Sequence, residues 1–156
     1  METGTPATGG LIKSFRPVSE KDLEAKIETA RKRFELHRAT PFGERSAMMR
    51  RAAAILEAEK EPFAKLMTLE MGKLYTAAVA EASKCAWVCR FYADEAERFL
   101  ADEIVQTNAS RSFVRYEPLG PVLAIMPWNF PFWQVFRFAA PAIMARTHGD
   151  GSLTKP

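Results

Sequence analysis

Two thiols, two imidazoles and one amide are the groups in this 156-residue sequence whose types and spacing invite chemistry. Cys85 and Cys89 stand four residues apart, on one face if their segment is helical, and such a pair can supply two ligands to a tetrahedral metal. His37 and His148 would have to complete the set, and neither stands at a ligand-like spacing from the thiols. No metal is expected. Both cysteines lie among small apolar residues and read as core thiols, and two cysteines make no disulfide framework. A reducing, cytoplasmic setting follows, and the N-terminus carries no secretory signal pattern. The amide is Asn129, within Pro127-Trp128-Asn129-Phe130-Pro131. A carboxamide donates two hydrogen bonds and does not titrate, which suits a fixed donor aimed at an oxygen that becomes negative during reaction. The other reading is a turn residue that satisfies its own backbone. On these residues alone both stay open.

The elements around these groups follow from hydrophobic period. Residues 1–18, rich in Gly, Thr and Pro, read as a loose lead-in arm. Ser19 with Glu20 and Asp22 forms a helix start, and Leu23, Ile27, Ala30 and Phe34 continue at helical spacing to about His37. Thr40-Pro41-Phe42-Gly43 breaks that pattern. Met48, Ala52, Ile55 and Leu56 mark a second helix, and Pro62 opens a third that Gly72 caps in the left-handed conformation. From Tyr75 to Leu100 a long, alanine-rich helix contains both cysteines.

Residues 111–117 alternate as a strand with two faces. After the turn Pro118-Leu119-Gly120-Pro121, the uninterrupted apolar run 122–126 reads as a strand buried on both faces of a parallel sheet. Asn129 therefore lies in the loop at the carboxyl end of that strand, where open α/β sheets bind ligands. Residues 132–144 follow as a helix with a kink or restart at Pro141.

Composition excludes several classes. With 22 Lys and Arg against 19 Asp and Glu, the net charge is +3, and the basic residues are interspersed with acids, so no nucleic-acid partner is expected. Apolar residues at 47% and charged residues at 26% describe a globular chain rather than a disordered one. The apolar stretch 122–144 contains Asn129, Gln134 and Arg137 with three prolines, which argues against a membrane span. Asn108-Ala109-Ser110 matches a glycosylation acceptor and, without a secretion signal, reads as a chance match.

The segment Pro127-Trp128-Asn129-Phe130-Pro131, with Tyr116-Glu117-Pro118-Leu119-Gly120-Pro121 before it, resembles the hallmark of the aldehyde dehydrogenase superfamily. Leu69-Glu70-Met71-Gly72-Lys73 is similar to a second family segment at the family's spacing. The resemblance spans roughly residues 10–145, and the string from Met126 through Gln134 to Ala140 looks most like the succinate-semialdehyde dehydrogenase branch. It implies an α/β fold: the N-terminal helical part and first strand of a Rossmann-like cofactor domain, over residues 19–145. Within it, residues 111–117 would belong to the oligomerisation arm. The implied activity is oxidation of a small-molecule aldehyde, succinate semialdehyde in that branch, with NAD or NADP, in a dimer or tetramer. Asn129 would donate to the oxyanion, and Trp128 and Asn129 would border the nicotinamide. Phe132 and Trp133 fit either a substrate funnel or core. Glu70 and Lys73 correspond to structural positions and receive no catalytic role.

The likeness stops at Ala145. Residues 146–156 contain a single large apolar residue, Leu153, where the family has an apolar second strand, and Lys155-Pro156 matches the family's ribose-binding pair in letters without its context. The family's glycine motif, glutamate base and nucleophilic cysteine would all follow this point. The expectation is a truncated or frame-shifted chain, inactive alone, with the apolar faces of residues 122–126 left uncovered. A non-catalytic module that associates with full-length relatives is the competing expectation.

Overall fold

The computed structural model describes residues 2–145. The divergent tail, with His148 and Lys155, lies outside the described residues. In chain order the elements are β1 (Glu2–Gly4), β2 (Leu11–Ser14), α1 (Glu20–Arg38), α2 (Phe42–Ala58), α3 (Lys60–Met71), α4 (Tyr75–Phe99), β3 (Glu103–Ile104), β4 (Phe113–Val114) and α5 (Trp133–Met144).

The lead-in is not loose: β1 and β2 pair antiparallel, with Glu2 opposite Ser14 and Thr3 opposite Lys13. Its Gly, Thr and Pro residues build the connecting turn, where Gly9 takes φ 69° and the Thr5 N–H donates to the Gly10 carbonyl at 2.9 Å. Ser19 caps α1 as expected, its Oγ accepting from the Asp22 amide at 3.2 Å. The second helix begins at Phe42, so the second half of the segment 40–43 read as a break is already helical. Pro41 takes the N-cap with extended backbone, and Phe42 and Gly43 occupy the first turn, where no preceding carbonyl is required. The Phe42 ring then lies 4.1 Å beneath the guanidinium of the buried Arg45. Pro62 is the third residue of α3, not the first, still within the turn where its missing N–H is harmless. Gly72 ends that helix at φ 70°, its N–H donating to the Thr68 carbonyl at 3.0 Å.

Helix α4 is the centre of the core, packing against α2, α3 and α5. Ala78, Ala82, Cys85, Ala86, Cys89, Ala93 and Ala96 are all buried along it, and their small side chains let the neighbouring helices approach closely. Met49, Ala53 and Leu56 of α2 and Ala140 and Met144 of α5 complete the main cluster. Removing a buried side chain such as Leu56 typically costs about 2–5 kcal/mol. Pro141 does not restart the helix, for α5 is continuous from Trp133 to Met144 with the proline inside it.

Two strand expectations change. The strand over residues 111–117 shrinks to Phe113–Val114, because its antiparallel partner β3 offers only Glu103 and Ile104. Side chains extend the contact beyond the ladder: Arg115 Nε donates to Asp102 at 2.9 Å and Tyr116 Oη to Glu103 at 2.6 Å. Residues 122–126 form no ladder, and they are not buried on both faces. Val122 is 2% exposed, whereas Leu123 is 57% and Ile125 85% exposed. The two-residue alternation of an extended chain is present, but among the described residues no strand lies beside it to take its backbone bonds or cover its outer face.

Candidate active-site loop

Residues 127–131 connect the extended segment to α5. Asn129 sits at the middle of this loop, exposed, and its amide has no hydrogen-bond partner among the described residues. Trp128 beside it is 76% exposed. Prolines on both flanks fix φ near −65°, so the loop is stiff without being covered. Among the described residues the amide satisfies no turn bond of its own.

The loop is fastened from beneath by α4. Glu81 is 5% exposed, and its Oε1 accepts from the backbone N–H of Phe132 at 3.0 Å and of Trp133 at 2.9 Å. These are the N-cap and first residue of α5, whose N-terminal amides have no partner inside the helix. A carboxylate there also meets the positive end of the helix dipole. The other carboxylate oxygen of Glu81 is ion-paired with Lys73, just beyond the Gly72 cap. The same ammonium lies 3.8 Å above the Phe130 ring. Phe132 and Trp133 are half-buried and pack toward the core cluster, Phe132 with its ring centroid 5.0 Å from that of Phe63. They serve the core side of the fold.

Glu81 and Lys73 were not among the chemical candidates in the sequence. A signal existed for the glutamate: three residues after Ala78 and four before Cys85, it falls on the buried stripe of an alanine-rich helix, where an acid must have partners. Nothing in local spacing identified the amides of Phe132 and Trp133 as those partners.

The thiols are elsewhere and inert. Cys85 and Cys89 are free and fully buried, and burial pushes their thiols up to about 12 and about 11, helped at Cys85 by the negative charge of Glu81. His37 is mostly buried, with Nε2 2.9 Å from the Ile143 carbonyl. Among the described residues no cluster of His, Cys, Asp and Glu could hold a metal, and no helix is long and apolar enough to cross a membrane. A cleft of 670 Å³ is bordered by Leu100, Asp102, Arg115, Leu119 and Phe138, and neither Trp128 nor Asn129 lines it. A smaller cavity of 360 Å³ reaches Trp128, with Gly4, Met67, Glu70 and Pro131 around it.

Comparison with known proteins identifies the setting of this loop. Residues 1–148 match the sequence model of the aldehyde dehydrogenase family, which extends the likeness through the N-terminal hairpin. A probable NADP(+) succinate-semialdehyde dehydrogenase of Synechocystis is 55% identical over 147 residues, covering 94% of this chain and 32% of the relative. The NADP(+) succinate-semialdehyde dehydrogenase of Mycobacterium avium is 48% identical over 151 residues, again covering 94% of this chain and 32% of the relative. The crystal structure of succinic semialdehyde dehydrogenase from Streptococcus pyogenes with NADP+ superposes with a TM-score of 0.87 at 31% identity, over 92% of this chain and 32% of that one. The chain thus spans about a third of the length of the curated relatives it matches. By sequence and by fold, it belongs to the aldehyde dehydrogenase family.

Proposed function

We propose that this chain supplies the oxyanion donor and the nicotinamide-facing edge of an NADP-dependent dehydrogenase that oxidises succinate semialdehyde to the acid. The observation that carries the reading is the Asn129 amide, exposed and uncommitted on a loop fastened to the core, in a chain 55% identical to a probable dehydrogenase of that substrate. Attack of a thiolate on an aldehyde carbonyl places negative charge on the oxygen, and a preorganised amide N–H stabilises that charge where water would have to reorganise.

The residues present fit one end of the dinucleotide. The exposed indole of Trp128 and side chain of Ile125 offer an apolar border for the nicotinamide ring, and NADP, when bound, accepts the hydride of the aldehyde. The first amides of α5 are already taken by the Glu81 carboxylate, so that helix offers no cradle for the phosphates. The 156-residue polypeptide by itself does not turn over aldehyde, because both its thiols are buried and held protonated. A cytoplasmic setting, where such thiols stay reduced, completes the reading.

A graft tests it: residues 1–145 replace the matching third of the Synechocystis relative, and NADP+ reduction is followed with succinate semialdehyde. The grafted enzyme is expected to turn over, and Asn129→Ala to lower kcat about 10²–10³-fold. An Asn129→Ala graft with the unsubstituted rate overturns the assignment.

A second reading has its own observation. Leu119, Ile125 and Trp128 are 75%, 85% and 76% exposed on one stretch of chain, a surface suited to association with full-length relatives, including the dimers or tetramers of the family. Mixed oligomers on co-expression would support it, and purely self-associated chain would count against it.

A further inference from the structure

We propose that Glu81 and Lys73 form a clamp whose role is to position Asn129, an inference that rests on reading Asn129 as the oxyanion donor. Neither residue touches the reacting atoms, and both act through the loop.

A carboxylate as deeply buried as Glu81 persists only when charge and hydrogen bonds surround it. Each of its oxygens has a defined task. One holds the amides of Phe132 and Trp133 together, which fixes where α5 begins and the direction in which the loop enters it. The other is paired with Lys73, whose own side chain is only 11% exposed. Lys73 in turn presses on the Phe130 ring from 3.8 Å, so one ion pair fastens residues 130, 132 and 133. Proline occupies position 131 between them and removes the freedom that position would have had. Asn129 is adjacent to Phe130, and consecutive Cα atoms are about 3.8 Å apart, so the backbone that carries the amide has little independent travel. Oxyanion donors work over a distance window of a few tenths of an ångström, and a misplacement of about 1 Å can cost about 10²-fold in rate. Packing alone would be served by an apolar residue at position 81. A carboxylate that collects two amides and one ammonium serves geometry.

The test is residue-resolved amide hydrogen exchange on the complete 156-residue chain, with Glu81→Ala, Glu81→Gln and Lys73→Met. Loss of a hydrogen bond to a charged acceptor corresponds to about tenfold or more in a local opening equilibrium. Glu81→Ala is therefore expected to speed exchange at Phe132 and Trp133 by about tenfold or more, with Ala86 and Ala93 in the core unchanged. Glu81→Gln, which keeps a carbonyl acceptor, is expected to recover much of that protection. Lys73→Met is expected to speed exchange at Phe132 and Trp133 by less than Glu81→Ala, since the carboxylate loses its ion pair and keeps both amides. If Glu81→Ala does not fold, the other two variants carry the test.

In the graft, Glu81→Gln is expected to lower kcat about tenfold with little change in KM, and to add nothing to Asn129→Ala, since both act on the same oxygen. Exchange that rises equally through α4 and α5, or stays unchanged at Phe132 and Trp133, overturns the clamp. Altered exchange together with full activity of the Asn129→Ala graft keeps the clamp as a structural device and overturns the catalytic reading instead. A rate loss in Asn129→Ala with no kcat effect of Glu81→Gln overturns the positioning role alone.

Discussion

The imidazole Nε2 of His37 lies 2.9 Å from the carbonyl oxygen of Ile143, tying α1 to the last turn of α5 across 106 residues of sequence. A carbonyl only accepts, so Nε2 carries the proton. The same carbonyl also accepts from the N–H of Ala145, the C-cap of α5, so the imidazole adds a second donor at that helix end.

His37→Ala is expected to lower stability by about 0.5–1.5 kcal/mol, since it removes the hydrogen bond between a mostly buried imidazole and the α5 carbonyl. Urea unfolding followed by circular dichroism would show the midpoint fall. His37→Gln, whose amide can donate to the same oxygen, should recover part of the loss.

Two glycines should respond to alanine in opposite directions. At Gly72, φ is 70° and an added Cβ would stand 3.1 Å from Cγ of Pro6, so Gly72→Ala is expected to cost about 1–2 kcal/mol. At Gly43, inside α2, nothing lies within 4 Å of an added Cβ, and Gly43→Ala should stabilise by about 0.4–1 kcal/mol. Melting temperatures measured side by side would check the pair.

The buried thiols predict a pH dependence. Unfolded cysteines ionise near 8.5, whereas in the fold Cys85 and Cys89 are pushed up to about 12 and about 11. Above about pH 9 the unfolded state has lost protons that the folded state retains, so stability falls as pH rises toward 11. Replacing both with Ala or Ser should flatten that alkaline slope in denaturant titrations. At pH 8 iodoacetamide is expected to spare both thiols in the folded chain and to label both in urea.

The uncovered edge around residues 119–128 predicts self-association. Ile125→Lys is expected to reduce light scattering of concentrated samples while changing unfolding free energy by no more than about 0.5 kcal/mol, because Ile125 is 85% exposed. Unchanged scattering would mean that this edge is not the sticky surface.

Where local chemistry decides the structure, the sequence is readable. Ser19 and Gly72 are caps by side-chain type and conformational freedom, and the alanine stripe of α4 declares a helix in close contact with several others. The Asn129 loop is recognisable because five unusual residues are contiguous. What depends on distant partners is not readable in this way. Residues 122–126 have the composition of a buried strand, yet burial requires neighbours that composition does not provide. The lead-in looks loose because turn residues and flexible residues are the same types, and only the pairing of Glu2 with Ser14 separates the two. Glu81 illustrates the same limit, since its meaning lies 51 and 52 residues further along the chain.

That interval also sets an order of events during synthesis. Lys73 and Glu81 are eight residues apart and their pair can close as soon as the start of α4 has formed. At ~5–20 residues per second, the amides of Phe132 and Trp133 emerge about 3–10 s later. The nascent chain therefore carries a finished docking post, already charged and oriented, before the loop that it will hold has been made.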